Sequence, residues 1–332
     1  QKLKTESTPG STKYKIAKDL FTGFDLMTMT RLSDLQLSPD GKNTLYAATF
    51  PEITDNTFSK FIYSSPLEGG LMKKITKHED HDYNPRWSPD GNKIAFISSR
   101  GDKPQAYMMD YPDGEPEKIT DMPNGVSNFD FSPNGKFYSF TSDVKMEKTL
   151  EEKYPKYPKA NVRIYKDLPV RHWNEWTDEK YSHLFIQPVD GGEPVDLMES
   201  EKYETPLKPW GGADQIAWAP DGKEIAYTSK KVEDFVESTN SDIYLVDIET
   251  KKTTNLTKGM PGFDKAPSYS PDGKYIAFTS QRRAGFEADK IRLMIYDRES
   301  GEMTDLTETL DRWCYEFTWA PDSKSLYFTA GD

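Results

Sequence analysis

One short motif recurs six times along the chain at a nearly constant spacing, and it limits which folds are available. Each copy reads Ser or Ala, then Pro, then Asp or Asn, then Gly or Ser. Successive prolines are 50, 44, 87, 51 and 50 residues apart. They are Pro39, Pro89, Pro133, Pro220, Pro271 and Pro321. A period near 50 residues requires similar local units, each built from neighbouring chain segments.

The residues of the motif favour a tight turn between two strands. Proline presets φ at the second position of a type I turn, aspartate suits the third, and glycine takes the left-handed position that closes the turn. Two copies depart from this pattern, with Asn134 in place of Asp and Ser323 in place of Gly. Either side chain can be accommodated in such a turn, so we expect six hairpins.

Short β-rich runs follow each turn, as at 93–98 and 275–280, and further runs such as 242–247 and 304–307 complete the repeat. Four strands in a unit of this length form one blade of a β-propeller, whereas a sandwich would need long crossovers between its sheets. We therefore predict an all-β fold, a β-propeller of four-stranded blades. The count gives five full blades plus two strands of a sixth.

Three parts of the chain are expected: a polar N-terminal tail at 1–17, an incomplete propeller at 18–332, and an insertion at 143–180 inside the propeller. Because proteins avoid long exposed sheet edges, we expect about one and a half further blades beyond Asp332. The insertion accounts for the single 87-residue interval. Long insertions in a repeat fold often carry function.

Two features bear on the cellular compartment. The polar start has no initiator Met and resembles the residues left after a signal peptide is removed, so a periplasmic or extracellular location is expected. Cys314 is the only cysteine, which excludes an internal disulfide. We interpret it as a small buried hydrophobic residue beside Trp313 and Tyr315.

Charge and hydropathy exclude several classes of partner. A net charge of −12 disfavours nucleic acid, because phosphate binding depends on Lys and Arg. No apolar run reaches the roughly 20 residues that a membrane-spanning helix needs. The sequence predicts no cofactor, and it is compatible with a homodimer.

Autonomous hydrolase chemistry is not predicted. No Gly-x-Ser-x-Gly elbow is present, and the four histidines have no recognisable nucleophile partner. The run His78-Glu79-Asp80-His81-Asp82 offers metal-ligating groups at close range. It falls between the first and second repeats, so we interpret it as a solvated connection and predict no metal. No catalytic residue is assigned to this chain.

The insertion contains the candidate substrate-binding residues Arg171, Trp173, Glu175 and Trp176, next to His172. Cation, indole and carboxylate together could bind a peptide terminus or another polar ligand. A second interpretation stays open, in which the tryptophans pack the insertion onto its blade and Arg171 pairs with an acid. Earlier in the insertion, Glu151 and Glu152 could accept a substrate amine or could simply be solvated.

Three longer stretches resemble the propeller of the prolyl oligopeptidase family, most of all the branch of dipeptidyl-peptidase 5 and acylaminoacyl-peptidase-like enzymes. They are Asp34-Leu35-Gln36-Leu37-Ser38-Pro39-Asp40-Gly41, Arg171-His172-Trp173-x-x-Trp176 followed by Ser182-His183-Leu184-Phe185, and Gly285-Phe286-Glu287-Ala288-Asp289. The resemblance runs from about Lys18 to the end of the chain.

The resemblance implies a function that this chain cannot perform alone. In that family a propeller of seven or eight blades caps a C-terminal α/β-hydrolase domain, which is absent here and which carries Ser, Asp and His. The resemblance therefore implies the substrate-gating propeller of a secreted serine exopeptidase that releases dipeptides or blocked residues from peptide N-termini. The alternative is a free-standing TolB-like propeller that acts as a protein-binding module.

Overall fold

A computed structural model describes residues 21–166, 168–233 and 235–331. The predicted tail at 1–17 lies outside these ranges. The chain divides after Phe131 into two units. Helices are short: α1 is Gly23–Thr28, α2 is Leu150–Lys153, and a 3₁₀ turn covers Ala213–Gln215. None of the helices in the described ranges is long and apolar enough to cross a membrane.

The first unit holds two complete four-stranded antiparallel sheets and one further strand. The sheets have the simple orders β1-β2-β3-β4 and β5-β6-β7-β8. The strands are β1 Arg31–Leu37, β2 Asn43–Glu52, β3 Thr57–Pro66, β4 Lys73–Lys74, β5 Asp82–Trp87, β6 Lys93–Ser98, β7 Gln105–Asp110, β8 Glu117–Lys118 and β9 Ser127–Phe131.

The second unit repeats the pattern. Strands β10, β13 and β14 are antiparallel neighbours, β11 and β12 form a small separate hairpin, two complete sheets follow, and β23 pairs with β24. The strands are β10 Phe137–Lys145, β11 Arg171–His172, β12 Glu175–Trp176, β13 Lys180–Pro188, β14 Val195–Asp196, β15 Ile216–Trp218, β16 Glu224–Ser229, β17 Asp242–Asp247, β18 Thr253–Asn255, β19 Asp264–Tyr269, β20 Tyr275–Ser280, β21 Arg292–Asp297, β22 Met303–Asp305, β23 Cys314–Trp319 and β24 Leu326–Ala330.

The core of each unit consists of side chains that alternate along the strands and pack between neighbouring sheets. In the first unit this cluster includes Leu45, Ile62, Ile94 and Phe96, all fully buried. Residues at corresponding strand positions form the core of the second unit. One of its clusters contains Cys314, which is buried beside Ala277 and Leu293. Burial raises the pKa of the Cys314 thiol to about 11. This cysteine is therefore a packing residue, as the sequence analysis interpreted it.

The six Pro-Asp-Gly motifs form the predicted turns, and the preceding serine has a role that the sequence analysis did not foresee. In the first copy the Ser38 hydroxyl donates to the Asp40 carboxylate over 2.6 Å and accepts from the Asn43 amide over 2.9 Å. Gly41 has φ +71°, the left-handed value that the motif predicts. The Ser38 hydrogen bond lowers the pKa of Asp40, and the Lys42 amide lowers it further. Serine and aspartate thus close the turn together.

The recurrent Leu/Ile-Thr ending of the fourth strand also has a structural cause. In four repeats a buried threonine hydroxyl accepts the amide of a third-strand residue over 2.9–3.1 Å. These threonines are Thr76, Thr120, Thr257 and Thr307. Strand β18 ends at Asn255 and β22 ends at Asp305, each two residues before its buried threonine. The ladder stops there because the threonine side chain replaces the backbone partner.

The first strand of several repeats is bulged, which alternation alone did not predict. The register shifts within β1, β5 and β19, where Asp34, Asn84 and Ala266 have φ of 54–56°. Asn84 uses its amide to bond the backbone of Phe129, accepting from its N–H over 3.0 Å and donating to its carbonyl over 3.1 Å. Asparagine at this position tolerates left-handed φ and also ties β5 to β9.

Candidate functional site

The insertion leaves its sheet between two long paired strands. The ladder of β10 and β13 runs without interruption to the pair Lys145↔Lys180, so the chain between these residues makes one excursion and returns to the same place. Its first part is held by helix α2. The carboxylate of Glu152 accepts from the Thr149 amide over 2.8 Å and from Lys145 Nζ over 2.6 Å. These bonds, first that of Lys145, lower the pKa of Glu152. Glu152 is therefore engaged within the chain.

The second part of the excursion contains the hairpin of β11 and β12, whose two cross-strand pairs separate the candidate residues. Arg171 lies opposite Trp176, and His172 lies opposite Glu175. Because successive side chains of a strand point to opposite faces, Arg171 and Trp176 share one face and His172 and Glu175 share the other. We call these the cationic face and the acidic face of the hairpin.

The cationic face is built around the indole of Trp176. The guanidinium of Arg171 lies 5.2 Å from the ring centroid, and that of Arg163 lies at the same distance. The ring of Tyr165 stacks on the indole at 6.3 Å with an interplanar angle of 16°, and its hydroxyl donates to the Thr177 carbonyl over 3.0 Å. Arg171 Nε also donates to the Trp173 carbonyl. Arg171 thus contacts an indole and a backbone carbonyl, and not the acid that one interpretation assigned to it.

The acidic face carries an exposed carboxylate beside aromatic rings. Glu175 makes no hydrogen bond or ion pair with any residue in the described ranges. Trp173, at the tip of the hairpin with φ +48°, has its ring 5.0 Å from that of His172. It also meets Trp210 edge-on at 4.8 Å. The rings of Trp173 and Trp210 are 64% and 76% exposed, so the contact leaves most of both indoles accessible to a ligand.

The structure therefore brings Arg171, Trp173, Glu175 and Trp176 into one hairpin and adds residues that the sequence analysis missed. Arg163 and Tyr165 precede the hairpin in the same insertion, and Trp210 comes from the segment after β14. One feature of the sequence indicates that Trp210 is exposed: it lies in a Pro- and Gly-rich loop, and not in a strand that would bury it in the core. Its contact with Trp173 depends on the fold and has no sequence signature.

In the run from His78 to Asp82, both histidines contact side chains of the chain itself. His78 Nδ1 lies 3.0 Å from the Asp80 carboxylate, while the ring of His81 stacks on Phe58 at 4.5 Å. Asp82 is fully buried at the start of β5, 3.3 Å from Arg100, so the solvated connection predicted for this run ends before Asp82. Within the described ranges, no three His, Cys, Asp or Glu side chains are grouped as a metal site would need.

His183, in a stretch that carried the family resemblance, is fully buried. Its Nδ1 lies 2.8 Å from Asp196 and its Nε2 lies 2.9 Å from the carbonyl of Glu201. Both nitrogens face acceptors, so the ring joins β13, β14 and the following segment. His183 holds the blade together and is closed to a ligand.

Comparison with known proteins agrees with this architecture. The domain family described as "TolB beta propeller domain" matches residues 33–157 and 173–332, and the gap between the two matched ranges falls inside the insertion. Over 331 residues the chain is 39% identical to dipeptidyl-peptidase 5 of Porphyromonas gingivalis, covering 98% of this chain and 48% of that protein. Dipeptidyl-peptidase 5 of Aspergillus fumigatus is 28% identical, with coverage of 92% and 47%.

A solved structure shows the same fold. Acylaminoacyl peptidase of Pyrococcus horikoshii superposes with a TM-score of 0.66 at 18% identity, over 92% of this chain and 43% of that one. The chain spans about half the length of the curated relatives it matches. The predicted β-propeller of four-stranded blades is thus confirmed. The chain belongs to the TolB β-propeller domain family, and its sequence matches about half the length of dipeptidyl-peptidase 5 proteins, in line with its resemblance to the prolyl oligopeptidase family.

Proposed function

We propose that this chain is the substrate-gating propeller of a serine exopeptidase that releases dipeptides or blocked residues from peptide N-termini. The observation that carries the proposal is the 39% identity to dipeptidyl-peptidase 5 over 98% of the chain. The peptide is the partner, and an α/β-hydrolase domain supplies the nucleophile, base and oxyanion hole. The propeller admits short peptides and orients their amino ends.

Within this function we assign the orienting role to the acidic face of the hairpin. A protonated peptide amine needs a carboxylate that is not already neutralised, and Glu175 meets this requirement. The exposed indole of Trp173 beside it offers apolar area to the first side chains of the peptide. Glu152, by contrast, already pairs with Lys145.

The test is to express the complete reading frame of the gene and assay it with dipeptidyl and acyl-aminoacyl chromogenic substrates. We expect hydrolysis that a serine-directed inhibitor abolishes, and a Gly-x-Ser-x-Gly elbow within roughly 150–250 residues after Asp332. The 332-residue chain assayed alone should be inactive. Activity of this chain alone that the same inhibitor abolishes would contradict the proposal.

The match to the TolB β-propeller domain family supports a second candidate function. A free-standing TolB-like propeller would act as a protein-binding module and would need no hydrolase partner. A reading frame that ends after one more blade would support this candidate and would exclude the exopeptidase.

We also propose that the protein is exported to the periplasm or the cell exterior. This location is the one implied by the resemblance to secreted serine exopeptidases. Fractionation of the source cells with an antibody to this chain tests it. Recovery of the protein in the cytoplasmic fraction alone would contradict export.

A further inference from the structure

The cationic face of the hairpin holds two arginines that no described residue neutralises. Seven of the ten arginines lie within 4 Å of a carboxylate. Arg163 and Arg171 form no ion pair with any residue in the described part of the chain. This is unexpected in a protein with 55 acidic and 43 basic residues, where an acid is rarely far away.

These two arginines meet at one aromatic ring. Both guanidinium carbons lie 5.2 Å from the centroid of Trp176. Two guanidiniums at one indole concentrate positive charge there, and cation–π contacts at an exposed site are weak. A bound anion would be attracted to both cations. Trp176 itself is 45% exposed, so a ligand can reach the ring and its cations.

The geometry suits a carboxylate. A guanidinium held over an aromatic ring keeps its N–H edge free, and two parallel N–H donors match the two oxygens of a carboxylate. In Arg171 only Nε is used, by the Trp173 carbonyl. Arg163 makes no hydrogen bond within the described ranges. A polyanion such as nucleic acid does not fit, because the net charge of −12 repels it.

We propose that Arg163, Arg171 and Trp176 form a binding site for a carboxylate of a peptide, either its C-terminus or an acidic side chain. The choice of a peptide as the carrier rests on the proposed function. The site lies on the face of the hairpin opposite Glu175, so the hairpin offers a carboxylate to one charged group of a peptide and guanidiniums to another. It is a specificity site and takes no part in bond cleavage.

Binding can be measured by isothermal titration calorimetry of the 332-residue chain with four N-acetylated hexapeptides. The first has an internal Gln and an amidated C-terminus, so it has no carboxylate. The second exchanges this Gln for Glu, the third keeps Gln and has a free C-terminus, and the fourth has both carboxylates. Acetylation removes the peptide amine, so the result does not depend on Glu175. The second and third peptides distinguish the two sources of the carboxylate.

We expect at least one of the two single-carboxylate peptides to bind about fivefold or more tightly than the neutral peptide at low salt, and this preference to shrink as salt is added. R163Q and R171Q should each reduce the preference about threefold to tenfold. R171K should retain only part of it, because an ammonium cannot present two parallel donors. K156Q removes a cation of the same insertion that makes no cation–π contact with Trp176 within the described residues, and it should leave the preference unchanged.

Three outcomes would overturn the proposal: equal binding of the neutral and acidic peptides, a preference that survives both arginine exchanges, or an equal loss in K156Q and R171Q. If R171Q disturbs the hairpin, seen as a changed tryptophan emission spectrum without ligand, R163Q decides, because Arg163 makes only the ring contact. If one of these outcomes occurs while the product of the complete reading frame hydrolyses peptides, the carboxylate site is contradicted and the proposed function stands.

Discussion

At the scale of single residues, Asp264 lies in surroundings that disfavour a charge. It begins β19, its side chain is fully buried, and neither carboxylate oxygen accepts a hydrogen bond within the described ranges. The nearby Thr257 hydroxyl donates to Asp242 instead. Burial raises the pKa of Asp264 to about 7, although the hydroxyls of Ser280 and Thr257 offset part of the effect. The folded protein therefore holds a proton on this carboxyl at mildly acidic pH.

A raised pKa makes stability depend on pH in a defined direction. The unfolded chain loses this proton near pH 4 and the folded protein near pH 7, so the free energy of unfolding falls as the pH rises between these values and is then constant for this group. D264N does not titrate, so its stability relative to the parent should increase by roughly 2–4 kcal/mol from pH 5 to pH 8. Urea unfolding at each pH measures the difference.

D297N is the matched control, because Asp297 is only partly buried and backbone hydrogen bonds from Ser300 and Glu299 lower its pKa. Its effect on stability should be the same at pH 5 and pH 8. Parallel pH profiles for D264N and the parent would show that the Asp264 carboxyl is ionised in the folded state.

At the scale of elements, the turns of successive repeats contact one another through the two residues that depart from the motif. Asn134 Nδ2 donates to the carbonyls of Asp221 and Gly222, over 3.1 and 3.3 Å. In the last repeat, the Ser323 hydroxyl accepts the amide of Asp272 over 3.0 Å. Asn134 also keeps the role of the missing aspartate, since its Oδ1 accepts from the Ser132 hydroxyl over 2.8 Å.

Restoring the consensus residue should therefore destabilise the protein. N134D replaces two donated hydrogen bonds with a carboxylate that faces two carbonyls, at a cost of about 1–3 kcal/mol in the free energy of unfolding. Thermal and urea unfolding measure it. The opposite exchange, D322N, is the control, because Asn can still accept from the Lys324 amide and should change stability little. A more stable N134D protein would mean that the contacts between turns contribute nothing.

The sequence predicts the elements better than it predicts the site. Pro, Asp and Gly determine each turn within a stretch of four residues, so the turns and their flanking strands follow from local chemistry. Strands β6, β17 and β20 have the predicted bounds. The bulge at Asn84 and the contact of Trp173 with Trp210 involve residues distant in the chain. Periodicity contains no information about such pairs, so the aromatic surroundings of the hairpin needed the structure.

At the scale of the whole molecule, one irregular excursion interrupts a repeated scaffold, and we assign recognition to this excursion. The turn and strand pattern of the blades recurs in every repeat, while the hairpin occurs once. Among the described residues, the carboxylate on one of its faces and the guanidiniums on the other have no ion-pair partner. The family match is interrupted within the excursion, at 158–172, and resumes at Trp173. The scaffold gives the family its fold, and we assign peptide selection to the excursion.

The most direct test is the kcat/KM of E175Q in the product of the complete reading frame, on one dipeptidyl substrate with a free amine and on its N-acetylated form. Loss of a charge-assisted contact at an exposed site should lower kcat/KM for the free amine roughly tenfold. The acetylated substrate should change less than about twofold, as should both substrates with E199Q, which removes an exposed acid elsewhere. An equal loss on both substrates, or no loss on either, would contradict the claim that the hairpin orients the peptide amine.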